Sequence, residues 1–290
     1  MSAPDGQPLE LPLEVRWGAA THRGARRTLN EDSHLASGRA FVVADGMGGH
    51  DAGEVASRVA VEALGPLSAG LREAAGGSAT HDVEERLAIA HERLQEIGTA
   101  PGRGAGTTIT GVILVEHEGA PYWLVLNLGD SRTYLLVDGR LEQVSVDHSE
   151  VQELLDAGAI TAAEARTHPR RHVVTRALGP GPRPAADFWF LPVGAHDRML
   201  VCSDGLTVEL DDDRIAELLL ADPDPQVAAD RLVAEALHAG GRDNITVVVV
   251  DARYADDDAG AEHTAPRAET ETDDEDTLPR AHGLVMGGPL

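Results

Sequence analysis

Four aspartates in the sequence share a local setting, because each stands where an apolar run typical of a β-strand meets a tight turn. They are Asp45, Asp130, Asp204 and Asp243. Carboxylates brought together at strand ends would repel one another unless cations neutralised them. Carboxylate and carbonyl oxygens are the ligands that Mg²⁺ and Mn²⁺ prefer. The repeated pattern therefore predicts a site for more than one hard cation.

The segment FVVADGMGGHDAGEVAS at residues 41–57 is the centre of this prediction. Its first four residues are apolar and typical of a buried strand, and its glycines allow the backbone to turn tightly before a helix begins. Asp45 ends the strand, and the backbone carbonyl of Gly46 beside it supplies a second oxygen. By itself such a segment is more often a turn than a metal site, so the prediction depends on the other aspartates.

A second charged stretch, THRGARRTLNEDSH, carries Arg26 and Arg27 shortly before Glu31 and Asp32. One interpretation is a solvated polar loop whose surface ion pairs contribute little to stability. If this loop instead meets the turn at Asp45, Glu31 can reach a metal ion and an arginine can bind a phosphate through two hydrogen bonds. Both interpretations stay open on this stretch alone.

Charge and cysteine content narrow the class of protein. The chain has 290 residues and a formal net charge of −25, from 49 acidic and 24 basic side chains, which disfavours nucleic acids and anionic membranes as partners. The single cysteine, Cys202, lies in an apolar run, which indicates a buried thiol in a reducing compartment rather than a nucleophile or a disulfide. With no signal-like N-terminus and no apolar stretch of membrane-spanning length, the sequence predicts a cytoplasmic protein.

Hydrophobic periodicity predicts the elements that position these residues. Strands are predicted at residues 14–20, 41–44, 104–115, 122–128, 187–191 and 198–202 and from 245 onwards. Helices are predicted at residues 53–67, 81–97, 213–220 and 225–238, with His81 and His91 on the surface of the second. Short strands joined by turns, including an Asp138-Gly139 hairpin turn, favour antiparallel sheets.

An insert at residues 148–179 interrupts the succession of strands. Its sequence predicts two short helices, the second capped by Thr161, followed by a segment rich in proline, glycine and arginine. The cluster of Arg170, Arg171 and Arg176 is unusual in so acidic a protein. The insert is either a solvated excursion or a flap, and the arginines favour a flap that contacts a phosphorylated or acidic partner.

The chain divides by composition into a lead at residues 1–13, a folded domain at 14–251 and a tail at 252–290. The tail holds ten acidic and three basic residues and is predicted to be disordered, because it has too little apolar surface to bury. Within it, Thr270 followed by Asp273 resembles the phosphothreonine motif that forkhead-associated domains prefer. The tail is therefore either a docking site for such a reader or a solubilising linker.

Taken in order, the motifs resemble those of the metal-dependent protein phosphatases, the PPM or type 2C serine/threonine phosphatases, and especially their compact bacterial members. The resemblance extends from about Ala19 to Asp251 and rests on RRTLNEDS, ADGMGGHDAGEVAS, GAGTTITGV, LGDSRTYLL, DHS, HPRRHVVTRALG, CSDGL and GGRDNITVVV. It implies an α+β fold, a four-layer α-β-β-α sandwich of two antiparallel sheets flanked by helices.

The resemblance also implies a role for each site residue, with Mn²⁺ or Mg²⁺ as the cofactor. Asp45 would bridge two ions, with Asp204 and Asp243 on the first ion and the Gly46 carbonyl on the second. Glu31 would reach the second ion through water, and Asp130 with Asp204 would form a third, weaker site. Arg27 would bind the phosphate, because it stands four residues before Glu31 as in the family, whereas Arg26 does not.

The implied activity is hydrolysis of phosphoserine and phosphothreonine on proteins by direct attack of a metal-bridging hydroxide, in opposition to bacterial Ser/Thr kinases. One departure concerns the general acid, because Met47 stands where animal relatives carry a histidine. His50 is close in sequence, but a metal-bound water is the better candidate for that acid. Two alternatives remain: a non-catalytic pseudophosphatase that binds phosphoproteins, and a phosphatase acting on small molecules.

Overall fold

The computed structural model describes residues 13–48, 52–72, 79–97, 104–179 and 181–254. The lead before Leu13, the loop residue His50 and the tail beyond Tyr254 lie outside these ranges. The predictions made for the lead, for His50 and for the phosphothreonine motif at Thr270 therefore fall outside the described residues.

The described residues form strands and short to medium helices in alternating groups. The strands are β1 (Leu13–His22), β2 (Asp32–Ser37), β3 (Ala40–Met47), β4 (Leu71–Arg72), β5 (Gly106–Thr107), β6 (Ile109–His117), β7 (Ala120–Leu128), β8 (Arg132–Val137), β9 (Arg140–Gln143), β10 (Asp187–Pro192), β11 (Arg198–Cys202) and β12 (Ile245–Tyr254). The helices are α1 (Ala52–Leu64), α2 (Ala79–Ile97), α3 (Glu150–Asp156), α4 (Ala162–Ala165), α5 (Asp204–Thr207), α6 (Asp212–Ala221) and α7 (Pro225–Ala239), and a 3₁₀ turn spans Gly65–Ala69.

The strands form two sheets. The first has the order β1-β12-β11-β8-β9, and the second has the order β10-β7-β6-β3-β2 with β5 paired to β3 and β4 paired to β6. Every pair is antiparallel except the two-residue contact of β4 with β6. The predicted antiparallel sheets are confirmed.

The two sheets pack face to face, with helices on both outer sides. On β3, Phe41 and Val43 point into the space between the sheets, where they meet residues of the first sheet such as Val248. The alternate residues of β3, including Val42, face α1 and α2. A third apolar cluster joins α6 and α7 to the outer side of the first sheet, for example through Leu232. The predicted four-layer α-β-β-α sandwich is confirmed, and strands covered on both faces explain why β3 reads as a continuous apolar run.

Three details differ from the sequence predictions. Residues 32–34, predicted as the end of a polar loop, begin the edge strand β2, whose pairing partner in the described sheets is β3. Asp204, predicted in a simple turn, is the first residue of α5. His91, predicted at the surface, is buried, and its Nε2 lies 3.0 Å from the Nε2 atom of Gln95 on the next helical turn. None of the described helices is both long enough and apolar enough to cross a bilayer.

Candidate active site

Asp45 lies near the end of β3, and its backbone is fixed from one side by the loop before β6. Its N–H donates to Thr108 Oγ1 at 3.1 Å, and its carbonyl accepts hydrogen bonds from the Thr108 N–H at 2.9 Å and from Thr107 Oγ1 at 3.0 Å. On the other side, β2 pairs with β3 so that Asp32 stands directly opposite Asp45. Two carboxylates therefore face one cleft from adjacent strands.

The four aspartates predicted from the sequence come together, and Asp45 is at their centre. Loss of hydration raises the pKa of Asp45 well above its ordinary value, and the charges of Asp32, Asp204, Asp130 and Asp243 raise it further, in that order. Burial also raises the pKa of Asp204, with the charge of Asp243 adding to it, while a side-chain hydrogen bond to Asp45 acts in the opposite direction. The arrangement concentrates negative charge at one point.

Asp130 and the neighbouring Asp32 are buried carboxylates whose pKa values are raised strongly. Burial raises the pKa of Asp130, in the turn between β7 and β8, to about 7, with the charges of Asp204 and Asp147 contributing. Burial raises the pKa of Asp32 to about 7 as well, against the effect of hydrogen bonds that favour its ionised form. The cluster therefore holds more carboxylates than it can keep ionised without a compensating cation.

Asp32 and Ser203 belong to this cluster, although the sequence analysis gave neither a role. Ser203 Oγ donates to Asp32 Oδ2 at 2.8 Å and accepts a hydrogen bond from the Thr246 N–H at 3.0 Å. Asp32 Oδ1 is buried and has no hydrogen-bond partner among the described residues. The signal that could have found them is adjacency, because Asp32 follows Glu31 and Ser203 precedes Asp204.

Glu31 and the Gly46 carbonyl lie beside each other at the start of α1. The Gly46 N–H donates to the backbone carbonyl of Glu31 at 3.1 Å. A Cβ atom on Gly53 would stand 2.4 Å from Glu31 Oε1 and 2.9 Å from the Gly46 carbonyl oxygen, so both oxygens border the same glycine. A larger residue at position 53 would displace one of them. The structure therefore brings this predicted pair of oxygen donors together.

Arg27 lies at the rim of the cluster, and its Nη2 donates to Asp243 Oδ2 at 2.6 Å. Burial alone would lower the pKa of Arg27, but the hydrogen bond to Asp243 and the charges of Asp243, Glu31 and Asp45 outweigh that effect and raise it. A guanidinium carries five N–H donors in a planar fork, so donors beyond the one on Asp243 can bind a phosphate. Arg26 is exposed on the same loop.

The insert that follows β9 is attached to the same cleft at both of its ends. The Gly129 N–H, next to Asp130, donates to Nδ1 of the buried His148 at 3.1 Å. At the other end, Leu178 and Thr107 exchange two backbone hydrogen bonds of 2.8 and 2.9 Å. The segment predicted as a flap therefore begins beside the Asp130 turn and returns beside the backbone of Asp45.

The middle of the insert reaches the carboxylates through a residue that the sequence analysis did not single out. His172 Nδ1 lies 4.0 Å from Asp204 Oδ2. Of the arginines predicted to contact a partner, Arg170 forms an ion pair of 3.0 Å with Glu150 on α3. The contact of this flap with a phosphoprotein stays a prediction.

The donor chemistry of the cleft fits hard divalent cations. Its candidate ligand atoms are carboxylate and carbonyl oxygens. The carboxylate pKa values are raised by burial and, beyond that, by mutual repulsion, and a buried oxygen of Asp32 has no partner among the described residues. In the described ranges no three acidic, histidine or cysteine side chains form a closed cage. Two of the carboxylates accept hydrogen bonds from protein donors, Asp243 from Arg27 and Asp32 from Ser203. The residues fit such ions in type and charge.

A four-layer sandwich with carboxylates and an arginine at one end of its sheets is the arrangement expected of a metal-dependent phosphatase. Comparison with known proteins gives the same class. A family model described as protein phosphatase 2C matches residues 20–238. The chain belongs to the protein phosphatase 2C family.

Two curated relatives illustrate the similarity. The serine/threonine protein phosphatase PstP of Mycobacterium tuberculosis is 38% identical over 243 residues, which cover 83% of this chain and 46% of the relative. The serine/threonine phosphatase stp of Listeria monocytogenes is 34% identical over 244 residues, which cover 80% of this chain and 93% of the relative. The chain thus spans about half the length of the first relative and nearly all of the second.

A solved structure supports the same relationship in three dimensions. The crystal structure of the catalytic domain of PstP in complex with two manganese ions superposes with a TM-score of 0.72 at 37% sequence identity. The similarity covers 83% of this chain and 99% of that domain. The resemblance inferred from the motifs is confirmed at the level of family and fold.

Proposed function

We propose that this chain is a protein serine/threonine phosphatase that hydrolyses phosphoserine and phosphothreonine on proteins. The observation that carries the proposal is Asp45, whose pKa is raised by burial and by four surrounding carboxylates, with Arg27 at the rim of the cluster. Family membership and the names of the relatives, which are serine/threonine phosphatases, support it.

The cofactors proposed are two Mn²⁺ or Mg²⁺ ions and a third, weaker ion. Asp45 would be shared by the first two ions, with Asp204 and Asp243 on one and the Gly46 carbonyl on the other. Glu31 would approach the second ion through water, and Asp130 with Asp204 would hold the third. When bound, these ions neutralise the carboxylates and activate water for attack on phosphorus. The two manganese ions of the PstP catalytic domain support this proposal.

The chain's own residues have separate tasks in this proposal. Arg27 binds phosphoryl oxygens with the donors that Asp243 does not use, and the pairing with Asp243 orients its guanidinium. Asp32 accepts a hydrogen bond from water at Oδ1, while Ser203 holds Oδ2. Asp45 and Gly46 lie on β3, Asp204 begins α5, and Asp243 stands in the turn just before β12.

The direct test is Mn²⁺-dependent release of phosphate from a phosphothreonine peptide, measured with and without a chelator. Phosphate release that requires Mn²⁺ and stops on chelation is the expected result. Peptide binding without turnover would instead identify the non-catalytic pseudophosphatase, and turnover of small phosphate esters alone would identify a small-molecule phosphatase.

Replacing Arg27 with alanine is expected to lower kcat/KM for a phosphopeptide by about 100-fold, because two charge-assisted hydrogen bonds to the phosphate are lost. Both KM and kcat should change, since the arginine binds the phosphate in the ground state and in the transition state. Arg26→Ala is the matched control on the same loop and should stay within about twofold of the parent protein. Equal defects in the two variants would contradict the assignment.

Phosphorylated proteins, including bacterial Ser/Thr kinases and their substrates, are the partners we propose. Location in the cytoplasm is proposed with them, supported by the buried, unpaired thiol of Cys202.

A forkhead-associated domain that reads phosphorylated Thr270 is proposed from the sequence of the tail. A tail peptide phosphorylated at Thr270 should be retained by such a domain, and the unphosphorylated peptide should not. Equal retention of both peptides would leave the tail a linker.

A further inference from the structure

The loop that carries Arg27, residues 23–31, rests on the turn that precedes β12. The Ala25 N–H donates to the Gly241 carbonyl at 2.7 Å. Gly24 adopts a positive φ of +77°, and a Cβ atom there would lie 2.0 Å from the carbonyl oxygen of Asp243, so the two backbones touch. The loop and the turn are therefore in direct contact although they are more than 200 residues apart in sequence.

One buried side chain from the turn, Asn244, is bonded to both ends of this loop. Its Oδ1 accepts a hydrogen bond from the Glu31 N–H at 2.8 Å. Its Nδ2 donates to the carbonyls of Arg23 at 3.0 Å and of Leu29 at 2.8 Å. The two carbonyls lie on either side of Arg27 in the sequence. The oxygen and the nitrogen of the Asn244 amide thus both form hydrogen bonds with the loop that carries Arg27.

Apolar packing does little to hold the loop in place. Arg23, Arg26 and Arg27 are exposed, and Leu29 is 43% exposed. Arg23 contributes a further local contact, from Nη1 to the Arg27 carbonyl at 3.0 Å. A loop with so little buried apolar surface depends on hydrogen bonds for a defined position, and those of the Asn244 side chain are shielded from solvent because this residue is only 4% exposed.

We propose that Asn244 is a positioning residue that holds Arg27 at the distance from Asp243 and Glu31 that phosphate binding requires. It acts through the loop, because its side chain bonds to the backbone of that loop. The backbone N–H of Asn244 also donates to Asp243 Oδ1 at 2.8 Å, so one residue fixes the carboxylate and the loop together. The inference rests on the proposed function, because it assigns Arg27 the phosphate.

The first test is a double-mutant cycle with Asn244→Ala and Arg27→Ala, assayed on a phosphothreonine peptide with Mn²⁺. Asn244→Ala alone should lower kcat/KM by about 30-fold or more, since a displacement of about 1 Å is enough to cost that much. In the Arg27→Ala background the same substitution should cost less than about threefold, because the residue it positions is gone. Defects that multiply fully would overturn the proposal.

Metal binding separates this role from a general loss of the site. Calorimetric titration with Mn²⁺ should give Asn244→Ala an affinity within about threefold of the parent protein, because its backbone N–H still supports Asp243. A loss of Mn²⁺ affinity that matches the loss of activity would overturn the assignment to Arg27. Asn244→Asp is the second variant, for use if the alanine variant does not fold. Aspartate keeps an oxygen that accepts from the Glu31 N–H, but its second oxygen replaces the amide donor and repels the carbonyls of Arg23 and Leu29. This variant should therefore reproduce the kinetic defect.

Gln226 provides a matched control for the loss of an amide. Its Oε1 accepts from the Ala19 N–H at 3.1 Å and its Nε2 donates to the Ala19 carbonyl at 3.0 Å, so it joins α7 to β1 in a similar way. Gln226→Ala should lower the melting temperature without changing kcat/KM. Equal kinetic defects in Gln226→Ala and Asn244→Ala would reduce Asn244 to a structural role. An inactive parent protein would contradict the proposed function instead.

Discussion

Replacing Asp45 with asparagine is expected to abolish phosphatase activity while the domain stays folded. The pKa of Asp45 is raised by burial and by the charges of four neighbouring aspartates, so Asp45 is the group that ions bound in the cluster would share. Asparagine keeps the volume but removes the charge. The loss of several kcal/mol of charge stabilisation corresponds to a decrease in kcat of at least about 10³-fold. Phosphate release from a phosphothreonine peptide measures it.

The same substitution should make the metal-free protein more stable at neutral pH, because it removes one of the charges that repel one another in the cluster. Asp138→Asn is the control, since Asp138 also precedes a glycine but lies in the turn between β8 and β9, at the other end of β8 from Asp130. The control should keep full activity and an unchanged melting temperature. Near-parental activity in Asp45→Asn would contradict the proposed ligand role.

Metal-free protein is expected to lose stability as the pH rises from about 4 to about 7. Burial and neighbouring charges raise the pKa values of Asp32 and Asp130 to about 7 in the folded protein. The folded state therefore retains protons that the unfolded state has released. The resulting stability is fully present below the unfolded pKa near 4 and is lost as the pH passes through the folded value. Each group contributes up to about 1.4 kcal/mol per pH unit in that window.

Saturating Mn²⁺ should reverse this dependence, because the ion binds ionised carboxylates and displaces their protons. Melting temperatures measured across this pH range, with chelator and with Mn²⁺, test the prediction. The increase caused by Mn²⁺ should be larger at about pH 7 than at about pH 5.5, and Asp130→Asn should flatten the metal-free curve. A metal-free melting temperature that rises with pH would contradict the repulsion inferred for the cluster.

The parts of the fold and site that the sequence predicts are those whose signals are local. β3 opens with a continuous apolar run that leads into Asp45-Gly46, and a similar local pattern pointed to Asp130 and to Asp204, which begins α5. Four strand ends with the same feature were enough to infer that they meet. The positions of Arg27 and Glu31 required the family resemblance, because their own segment is equally compatible with a solvated loop.

The parts that could not be predicted depend on pairing between distant segments. Asp32 is polar and follows a charged loop, so its sequence does not indicate burial. It is buried because β2 pairs with β3 and because Ser203, 171 residues away, donates a hydrogen bond to it. Asn244 likewise has the sequence context of an ordinary residue before a strand. Its role follows from its hydrogen bond to the Glu31 N–H, 213 residues away in the chain. Periodicity within one segment carries no information about such contacts.

The pairing of β1 with β12 has a consequence for the synthesis of the protein. The two strands pair over their whole length, from Leu13 opposite Tyr254 to His22 opposite Ile245, and β1 has no other partner in the described sheets. A nascent chain that has not yet reached β12 leaves β1 unpaired and exposes one edge of β11. It also lacks Asp243, which pairs with Arg27, and Asn244, which bonds to the loop that carries Arg27. The proposed site therefore cannot assemble before β12 has been synthesised, and we expect the pairing of these two distant strands to be a late step in folding.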